Sequence, residues 1–405
     1  MAAHDPFDPQ YLRELVEGTF GHLVRHWFRP VLLRKDRLPA RGPAVLAGNH
    51  SGTAFPWDGM VLDALLWRLE GLRETGKCRS VFEKELSMTW WMRPFGIDDF
   101  WRRGGGVDMT FDNFDRLLAD GHRVLYYPEG VPGIGKGFLR RYRLQRFSSS
   151  FVTLAARHRA PVVPVHIVNA EWVIPFNLTV GPIDRLVQRL FGVPFLPLPA
   201  APLCLVFPWM WYLSLPARMV FVVGEPIDVA SWAAEEGLDP SQPDLDVARR
   251  LAERVRVEMQ TELTRLVERY GRRPYQTRSL LRELGAARRE RSLHRVFPWS
   301  WPRVFVRQHR DRARPPARNR LHAWWRDWDV VGWHLPFGWA LLSLARRLRR
   351  PPCGYRGLSA KERRRREGAY TWKLADRPLP PPGKKEGQDH FSSWAREATP
   401  ASPEK

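Results

Sequence analysis

The sequence predicts an α/β fold in which a mostly parallel sheet is flanked by helices. Short apolar runs of strand length, such as Ala44–Gly48 and 161–168, alternate with segments whose apolar residues recur at helical spacing. Several of these runs end in Gly, Pro, Asn or His, which are typical of loops. This alternation favours parallel pairing, because two parallel strands need a connection of about helix length between them.

The elements can be placed in order from spacing and turn residues. Apolar residues at every third or fourth position predict a helix over 8–28, and we expect it to pack on the domain rather than lie on a membrane. Gly121 and Gly271 follow two further helical patterns and stop them. The predicted strands are 30–33, 44–48, 79–82, 122–127, 161–168 and 219–224, and the predicted helices are 8–28, 59–72, 108–119, 151–157 and 245–270.

The size and the cysteines limit the class of protein. A chain of 405 residues has room for one large domain or two smaller ones with a sizeable core. Its three cysteines, Cys78, Cys204 and Cys353, are far apart, which argues against a disulfide framework or a zinc site and fits a reducing compartment. The first residues lack the basic and apolar regions of a signal peptide, so we expect none.

The net charge of +22 is unevenly distributed. Residues 1–270 hold 33 basic and 31 acidic residues, whereas 271–405 hold 32 basic and 12 acidic ones. A positive field of this kind suits an anionic lipid surface or nucleic acid. We therefore predict an N-terminal amphipathic helix in 1–30, a catalytic domain in 31–270, a basic Trp/Arg-rich membrane-associating region in 271–375 and a disordered tail in 376–405.

Two uncharged segments suggest contact with a membrane. Residues 190–217 are long enough to cross a bilayer, but their six prolines forbid a regular helix. An interfacial flap with Trp and Tyr at the level of the headgroups fits this composition, and a proline-rich loop packed into the core is the alternative. Residues 330–345 resemble a segment that lies in the membrane surface, because arginines follow directly.

The strongest chemical signal is His50 followed by Asp58. His50 comes directly after a predicted strand, and Asp58 lies at the start of a predicted helix. A His with a nearby carboxylate is the minimal apparatus for taking a proton from a hydroxyl: the carboxylate holds one ring nitrogen and the other acts as base. The alternative is that Asp58 only caps its helix and His50 lies on the surface.

Two further stretches carry groups that bind anions. Arg102 and Arg103 precede three glycines, and an arginine there could fork onto a phosphate or be merely solvated. Glu129 and Gly130 follow another predicted strand, and Lys136 begins a basic stretch that runs to residue 146.

Taken in order, these stretches resemble the four sequence blocks of the glycerophospholipid acyltransferase family, which includes lysophosphatidate acyltransferases. The corresponding segments are His50 with Asp58, residues 96–103, residues 127–130 and residues 161–164, and the resemblance covers about 28–230. One departure is clear. The family has four residues between its His and Asp, whereas seven separate His50 from Asp58, and Phe55 stands where the family has Asp.

The resemblance implies an acyltransferase-like fold and transfer of a fatty acyl group from acyl-CoA or acyl carrier protein to a hydroxyl of a lysophospholipid or glycerol-phosphate-like acceptor. His50 would be the general base and Asp58 would orient it, with no metal or cofactor needed. The two uncharged segments and the basic C-terminal region predict a peripheral or monotopic protein on the cytoplasmic face of a membrane, with membrane lipids as partners. The residues that would hold the acceptor are Arg102 or Arg103, Glu129, Gly130 and Lys136.

Two other classes of protein remain open. The long spacing between His50 and Asp58 is compatible with a catalytically inactive relative that only binds lipid. The basic C-terminal region is compatible with a nucleic-acid-binding protein, although the sequence has no RNP, zinc or helix-turn-helix signature.

Overall fold

A computed structural model describes residues 7–53, 55–71, 78–82, 100–191, 198, 200–241, 244–301, 304 and 318–348. The strands are β1 (Val31–Leu33), β2 (Ala44–Gly48), β3 (Cys78–Phe82), β4 (Val107–Asp108), β5 (Arg123–Tyr126), β6 (Val162–Val168) and β7 (Val220–Val223). The α-helices are α1 (Pro9–Glu14), α2 (Phe20–His22), α3 (Trp57–Leu69), α4 (Phe100–Arg103), α5 (Phe111–Ala119), α6 (Gly130–Gly135), α7 (Ser150–Arg157), α8 (Gly181–Phe191), α9 (Ala200–Val206), α10 (Val229–Glu235), α11 (Leu245–Tyr270), α12 (Thr277–Arg289), α13 (Arg320–Arg326), α14 (Trp328–His334) and α15 (Trp339–Leu348).

The seven strands form one mixed sheet in the order β1-β7-β6-β2-β5-β3-β4. All neighbours pair in parallel except β6 and β7, so the predicted mostly parallel sheet is confirmed. Strand β2 lies near the centre, with Val45 opposite Val124 on one side and Val162 on the other. Because β6, β2, β5 and β3 run in the same direction, the segments that follow them leave from one edge of the sheet.

The sheet is covered on both faces, as the apolar strands require. All five residues of β2 are buried, and they alternate between two core clusters: Leu46 packs in one, and Val45 and Ala47 pack in the other. The long helix α11 covers the second face and buries the apolar positions that gave its sequence a helical period. This period-two alternation fixes which side chains each layer receives.

The predicted N-terminal helix packs on the domain, as expected. The chain is helical from Pro9 to Phe28, with wider π-helical turns at Leu15–Thr19 and Leu23–Phe28 between the α-helical ones. Asp8 caps its start, because the carboxylate accepts a hydrogen bond from the Tyr11 N–H. Most of its apolar side chains are buried in the core cluster that also holds Leu46, while Leu12 and Val16 pack with Ala64 and Trp67.

The predicted helix over 108–119 begins later than expected. Residues Val107–Asp108 form β4, which pairs with the end of β3. The helix α5 starts at Phe111, because the Thr110 side chain accepts a hydrogen bond from the Asn113 N–H and caps it. A short edge strand has too few residues to show a period, so sequence spacing alone assigned it to the helix.

Part of the described chain beyond residue 270 packs against the preceding residues. Trp301 and Trp333 are buried, with ring centroids 4.8 Å and 5.4 Å from that of Tyr212. Trp301 also lies 5.8 Å from Trp57 of α3. Trp301 and Trp333 therefore pack in the core, whereas Trp324 and Trp325 are exposed, and the predicted domain boundary at 270 stays a prediction.

The same finding corrects part of the flap predicted at 190–217. Tyr212 is only 1% exposed and belongs to the core, so it does not lie at a membrane surface. Residues 192–197 of the flap, the basic cluster 361–366 and the tail predicted at 376–405 fall outside the described residues. Within the part of the chain that the structure describes, no helix combines the length and apolar character needed to span a bilayer.

Candidate active site

The loop after β2 is attached to the neighbouring strand by Asn49. Its side-chain amide donates to the Ile167 carbonyl at 3.1 Å, and its side-chain oxygen accepts from the Ile167 N–H at 2.7 Å. The Asn49 side chain thus satisfies both backbone hydrogen-bonding groups of Ile167 in β6. This fixes the position from which the next residue, His50, leaves the sheet.

Asp58 holds His50 despite the long loop between them. Nδ1 of His50 lies 3.3 Å from Oδ2 of Asp58, and that oxygen also accepts a hydrogen bond from the Ser51 N–H at 2.8 Å. The other oxygen accepts from the Gly59 N–H at 2.8 Å. Asp58 therefore ties both ends of the loop together instead of acting only as a helix cap.

The additional residues between His50 and Asp58 are accommodated because Phe55 packs into the core. Phe55, which stands at the family's Asp position, is buried with its ring 4.7 Å from Trp57 and 5.1 Å from Tyr212. The additional residues thus turn into the core. The carboxylate that faces His50 comes from the first turn of α3.

The electrostatic balance keeps Asp58 ionised. Burial by itself would raise the pKa of this carboxyl, but His50 and the hydrogen bonds from Ser51 and Gly59 outweigh it, and the pKa lies below its ordinary value. An ionised Asp58 accepts a hydrogen bond from a protonated Nδ1 of His50. Nε2 then carries the lone pair, and it has no hydrogen-bond partner among the described residues.

The ring of His50 lies against Tyr127. Their ring centroids are 4.1 Å apart and their planes differ by 13°. The Tyr127 hydroxyl is buried and has no hydrogen-bond partner in the described residues, and burial raises the pKa of this phenol well above its ordinary value. The Tyr127 side chain therefore stays neutral, and its ring limits the orientation of the imidazole.

Glu129 lies directly beneath His50. One carboxylate oxygen accepts the His50 backbone N–H at 2.9 Å, and the other accepts the Gln145 N–H at 2.8 Å and lies 3.4 Å from Nζ of Lys136. Glu129 and Lys136 are both buried, with 0% and 2% exposure. Both side chains therefore hold the His50 loop in place, and their predicted role in binding the acceptor stays a prediction. Gly130 follows at φ +53° and lines the cavity beside His50.

The two predicted phosphate-binding arginines are engaged elsewhere. Arg102 forks onto Asp108, with Nε–Oδ1 at 3.0 Å and Nη2–Oδ2 at 2.9 Å, and both side chains are buried. Arg103 binds Asp8 at 2.7 Å, and its guanidinium lies 3.8 Å from the centre of the Tyr11 ring. The predicted convergence on one cleft is thus found for His50 and Glu129, whereas each arginine is held by a carboxylate of its own.

His50 opens onto an apolar cavity. Its lining comes mainly from the ends of β3 and β5 and from α3 and α6, and it includes Val81, Phe82, Trp101, Leu125, Val131 and Ile134. Asp63, little more than one turn beyond Asp58 on α3, is a polar residue of this lining, as is Ser80. One oxygen of Asp63 is buried without a hydrogen-bond partner in the described residues, and burial raises the pKa of this carboxyl to about 7. Sequence reasoning missed Asp63, because only the fold places it beside His50.

A larger cavity of about 470 Å³ lies away from this chemistry. It is lined by His166 and Gly224 among others, and it shares no lining residue with the cavity at His50. Nδ1 of His166 is buried and has no hydrogen-bond partner in the described part of the chain, so no carboxylate orients that ring. The oriented base is therefore His50.

A family model and several relatives match this chain. The family model described as Acyltransferase matches residues 31–168, a range that includes His50, Asp58 and Glu129. The uncharacterized protein Rv0502 of Mycobacterium tuberculosis is 31% identical over 268 residues, which cover 66% of this chain and 69% of that protein. The uncharacterized protein ML2427 of Mycobacterium leprae is 31% identical over 66% of this chain and 67% of its own length.

The chain belongs to the acyltransferase family. The resemblance inferred from the four sequence blocks is thereby confirmed, and the protein is an acyltransferase enzyme. Among solved structures, the 1-acyl-sn-glycerophosphate acyltransferase PlsC of Thermotoga maritima matches with a TM-score of 0.36 and 16% identity, over 62% of this chain and 79% of that one.

Proposed function

We propose that this acyltransferase moves a fatty acyl group from a thioester donor, acyl-CoA or acyl carrier protein, to a hydroxyl of a lysophospholipid or glycerol-phosphate-like acceptor. The observation that carries the proposal is the His50–Asp58 pair: Nε2 of His50 has no hydrogen-bond partner in the described residues, and His50 lines an apolar cavity. Nε2 takes the proton from the acceptor hydroxyl as its oxygen attacks the thioester carbonyl. The thiolate leaves and recovers a proton from the imidazolium, which Asp58 stabilises.

The apolar lining of the cavity suits a hydrocarbon chain. The side chains around His50 are apolar apart from Asp63 and Ser80, as a hydrocarbon chain requires. A carbonyl placed beside Nε2 would leave its chain among these residues.

The phosphate of the acceptor finds its partners on the segment that follows Lys136. Gly137 contacts the His50 loop: a Cβ added at Gly52 would lie 3.1 Å from its nitrogen. Farther along, the Gln145 N–H donates to Glu129. Between these anchors, Arg140 and Arg143 are exposed, and neither guanidinium has an ion pair in the described residues. Arg140 and Arg143 therefore replace Arg102 and Arg103 as the proposed phosphate ligands.

The test uses the purified full-length protein with acyl-CoA or acyl carrier protein as donor and lysophosphatidate or glycerol phosphate as acceptor. Thiol release and lipid product are measured together. His50→Ala is expected to lower the rate about 10²–10⁴-fold, since it removes the base. The matched control is His158→Ala, because His158 also pairs with a carboxylate, Asp115 at 2.8 Å, but outside the cavity. Undiminished transfer by His50→Ala would refute the mechanism.

Acceptor choice is tested separately. Arg140→Ala and Arg143→Ala are expected to raise KM for a phosphorylated acceptor and to leave a neutral monoacylglycerol unaffected. The control is Arg249→Ala, an exposed arginine on α11. If neither variant changes KM for lysophosphatidate, the acceptor phosphate is not held here. A protein that binds lipid but shows no transfer with any donor would be the inactive relative.

A further inference from the structure

Three metal-binding side chains meet where the N-terminal helical segment contacts the chain just after α12. The ligand atoms of His22, His26 and Glu290 all lie within 4.8 Å of one another. His22 and His26 are four residues apart, so they share one face of the helix, and their ring centroids are 6.1 Å apart. None of the three residues lines the cavity at His50.

His26 is oriented as a metal-ligating histidine usually is. Its Nδ1 lies 3.1 Å from Oε2 of Glu283, which places the ring proton on Nδ1 and the lone pair on Nε2. That Nε2 is buried and has no hydrogen-bond partner in the described part of the chain. A buried lone pair without a partner is uncommon in folded proteins, and a bound cation satisfies it.

Glu290 presents one oxygen to this lone pair. Its Oε2 lies 3.5 Å from Nε2 of His26, while its Oε1 is 3.2 Å from the guanidinium of Arg25. Zinc with bonds of about 2.0–2.2 Å to nitrogen and oxygen separates tetrahedral ligand atoms by about 3.4 Å. The observed 3.5 Å therefore already matches, and His22 needs only a small side-chain movement. The carboxylates of Glu283 and Glu290 offset the positive charges of Arg25 and Arg295.

We propose that His22, His26 and Glu290 bind one zinc ion, with water in the fourth position. Two imidazoles and a carboxylate form a ligand set that suits zinc. The ion would tie the N-terminal helix to the segment after α12, two parts of the chain that are far apart in sequence. This site is separate from acyl transfer, and it does not depend on the proposed function.

The experiment uses the full-length chain without a polyhistidine tag, stripped with a chelator and exchanged into chelator-free buffer. Zinc chloride is titrated by calorimetry, and thermal unfolding is recorded with and without zinc. We expect one zinc per chain and a higher Tm with zinc, because the ion binds only the folded state. His22→Ala and Glu290→Gln, both outside the deep core, should each weaken zinc affinity by at least about tenfold and abolish the rise in Tm.

The controls are His322→Ala and Glu268→Gln, which change an exposed histidine and an exposed glutamate elsewhere. Circular dichroism verifies that all variants fold. This measurement is needed because His22 and Glu290 lie beside His26, which is fully buried. Zinc binding by the controls and its loss in the two site variants would support the proposal. Absence of stoichiometric zinc binding by the wild-type chain, or equal binding by site variants and controls, would overturn it.

Discussion

At the scale of single residues, His50 is useful as a base because its two nitrogens have different surroundings. Nδ1 faces an ionised carboxylate, and Nε2 faces an apolar cavity. Glu129 contributes no contact to the ring; its carboxylate holds the backbone from which the ring projects. Buried charges thus occur here mainly as positioning groups, each paired with a specific partner.

The pair formed by Arg102 and Asp108 predicts a stability effect that is easily mistaken for lost substrate binding. Arg102→Ala leaves a buried carboxylate without its fork, and we expect a loss of about 3–5 kcal/mol in the free energy of unfolding. Arg103→Ala should cost less, because its partner Asp8 is partly exposed. Urea denaturation of the two variants compares them. Equal small losses would contradict the structural role of Arg102.

Asp63 predicts a pH dependence of the cavity itself. Burial raises its pKa to about 7, so the carboxyl is neutral below that pH and becomes an anion among apolar side chains above it. An acyl chain fits beside the neutral form better. Asp63→Asn should therefore match the wild-type rate near pH 6 and exceed it increasingly above pH 7. The ratio of the two rates is measured from pH 5.5 to 9; a constant ratio would show that Asp63 does not titrate there.

At the scale of elements, the site depends on how closely α6 approaches the His50 loop. A Cβ built at Gly133 would lie 2.5 Å from the Cβ of Glu129 and 3.0 Å from that of His50. No side-chain rotation relieves these contacts, so only glycine fits. The short helix that begins at the end of β5 thus determines where the base stands.

Gly133→Ala is accordingly expected to displace His50 and lower kcat by up to about 10²-fold, with about 1–3 kcal/mol of destabilisation. The matched control is Gly285→Ala on α12, where an added Cβ meets only the end of the Arg289 side chain at 3.7 Å. That substitution should leave kcat unchanged and add about 0.5–1 kcal/mol of stability. Full activity in Gly133→Ala would show that the contact is not needed for positioning.

At the scale of the whole molecule, we expect different roles for residues 271–348 and 349–405. The described part packs Trp301 and Trp333 into the same core as α3. Residues 349–405 hold 14 basic and 7 acidic residues, and they remain the proposed contact with anionic lipid. A truncation must separate these two parts to be informative.

Deleting 349–405 is expected to preserve the fold and to weaken binding to anionic vesicles, by about 1 kcal/mol for each basic residue that lies near the surface. Most of the salt dependence should disappear with it. Deleting 271–405 should instead unfold the protein, because each large aromatic residue lost from the core costs about 3–5 kcal/mol. Vesicle sedimentation at low and high salt, with neutral vesicles as control, measures the first effect.

Equal binding of the full-length protein and the 349–405 deletion to anionic vesicles at both salt concentrations would refute a membrane role for residues 349–405. Loss of DNA or RNA binding with unchanged vesicle binding would favour the nucleic-acid alternative. Cooperative unfolding of the 271–405 deletion at the wild-type temperature would contradict the role of the two tryptophans in the core.

The sequence by itself determined the mostly parallel sheet, the packed N-terminal helix and the family, because strand alternation, helical spacing and short motifs are local patterns. It also identified His50, Asp58 and Glu129, since polar residues at strand ends are visible in the chain. Only the tertiary structure decided that Arg102 and Lys136 are buried in ion pairs, that Trp301 fills the core, and that His22 meets Glu290. These outcomes depend on contacts between residues that are distant in sequence and meet only in the folded chain. The sequence also does not distinguish an arginine or tryptophan on the surface from one in the core.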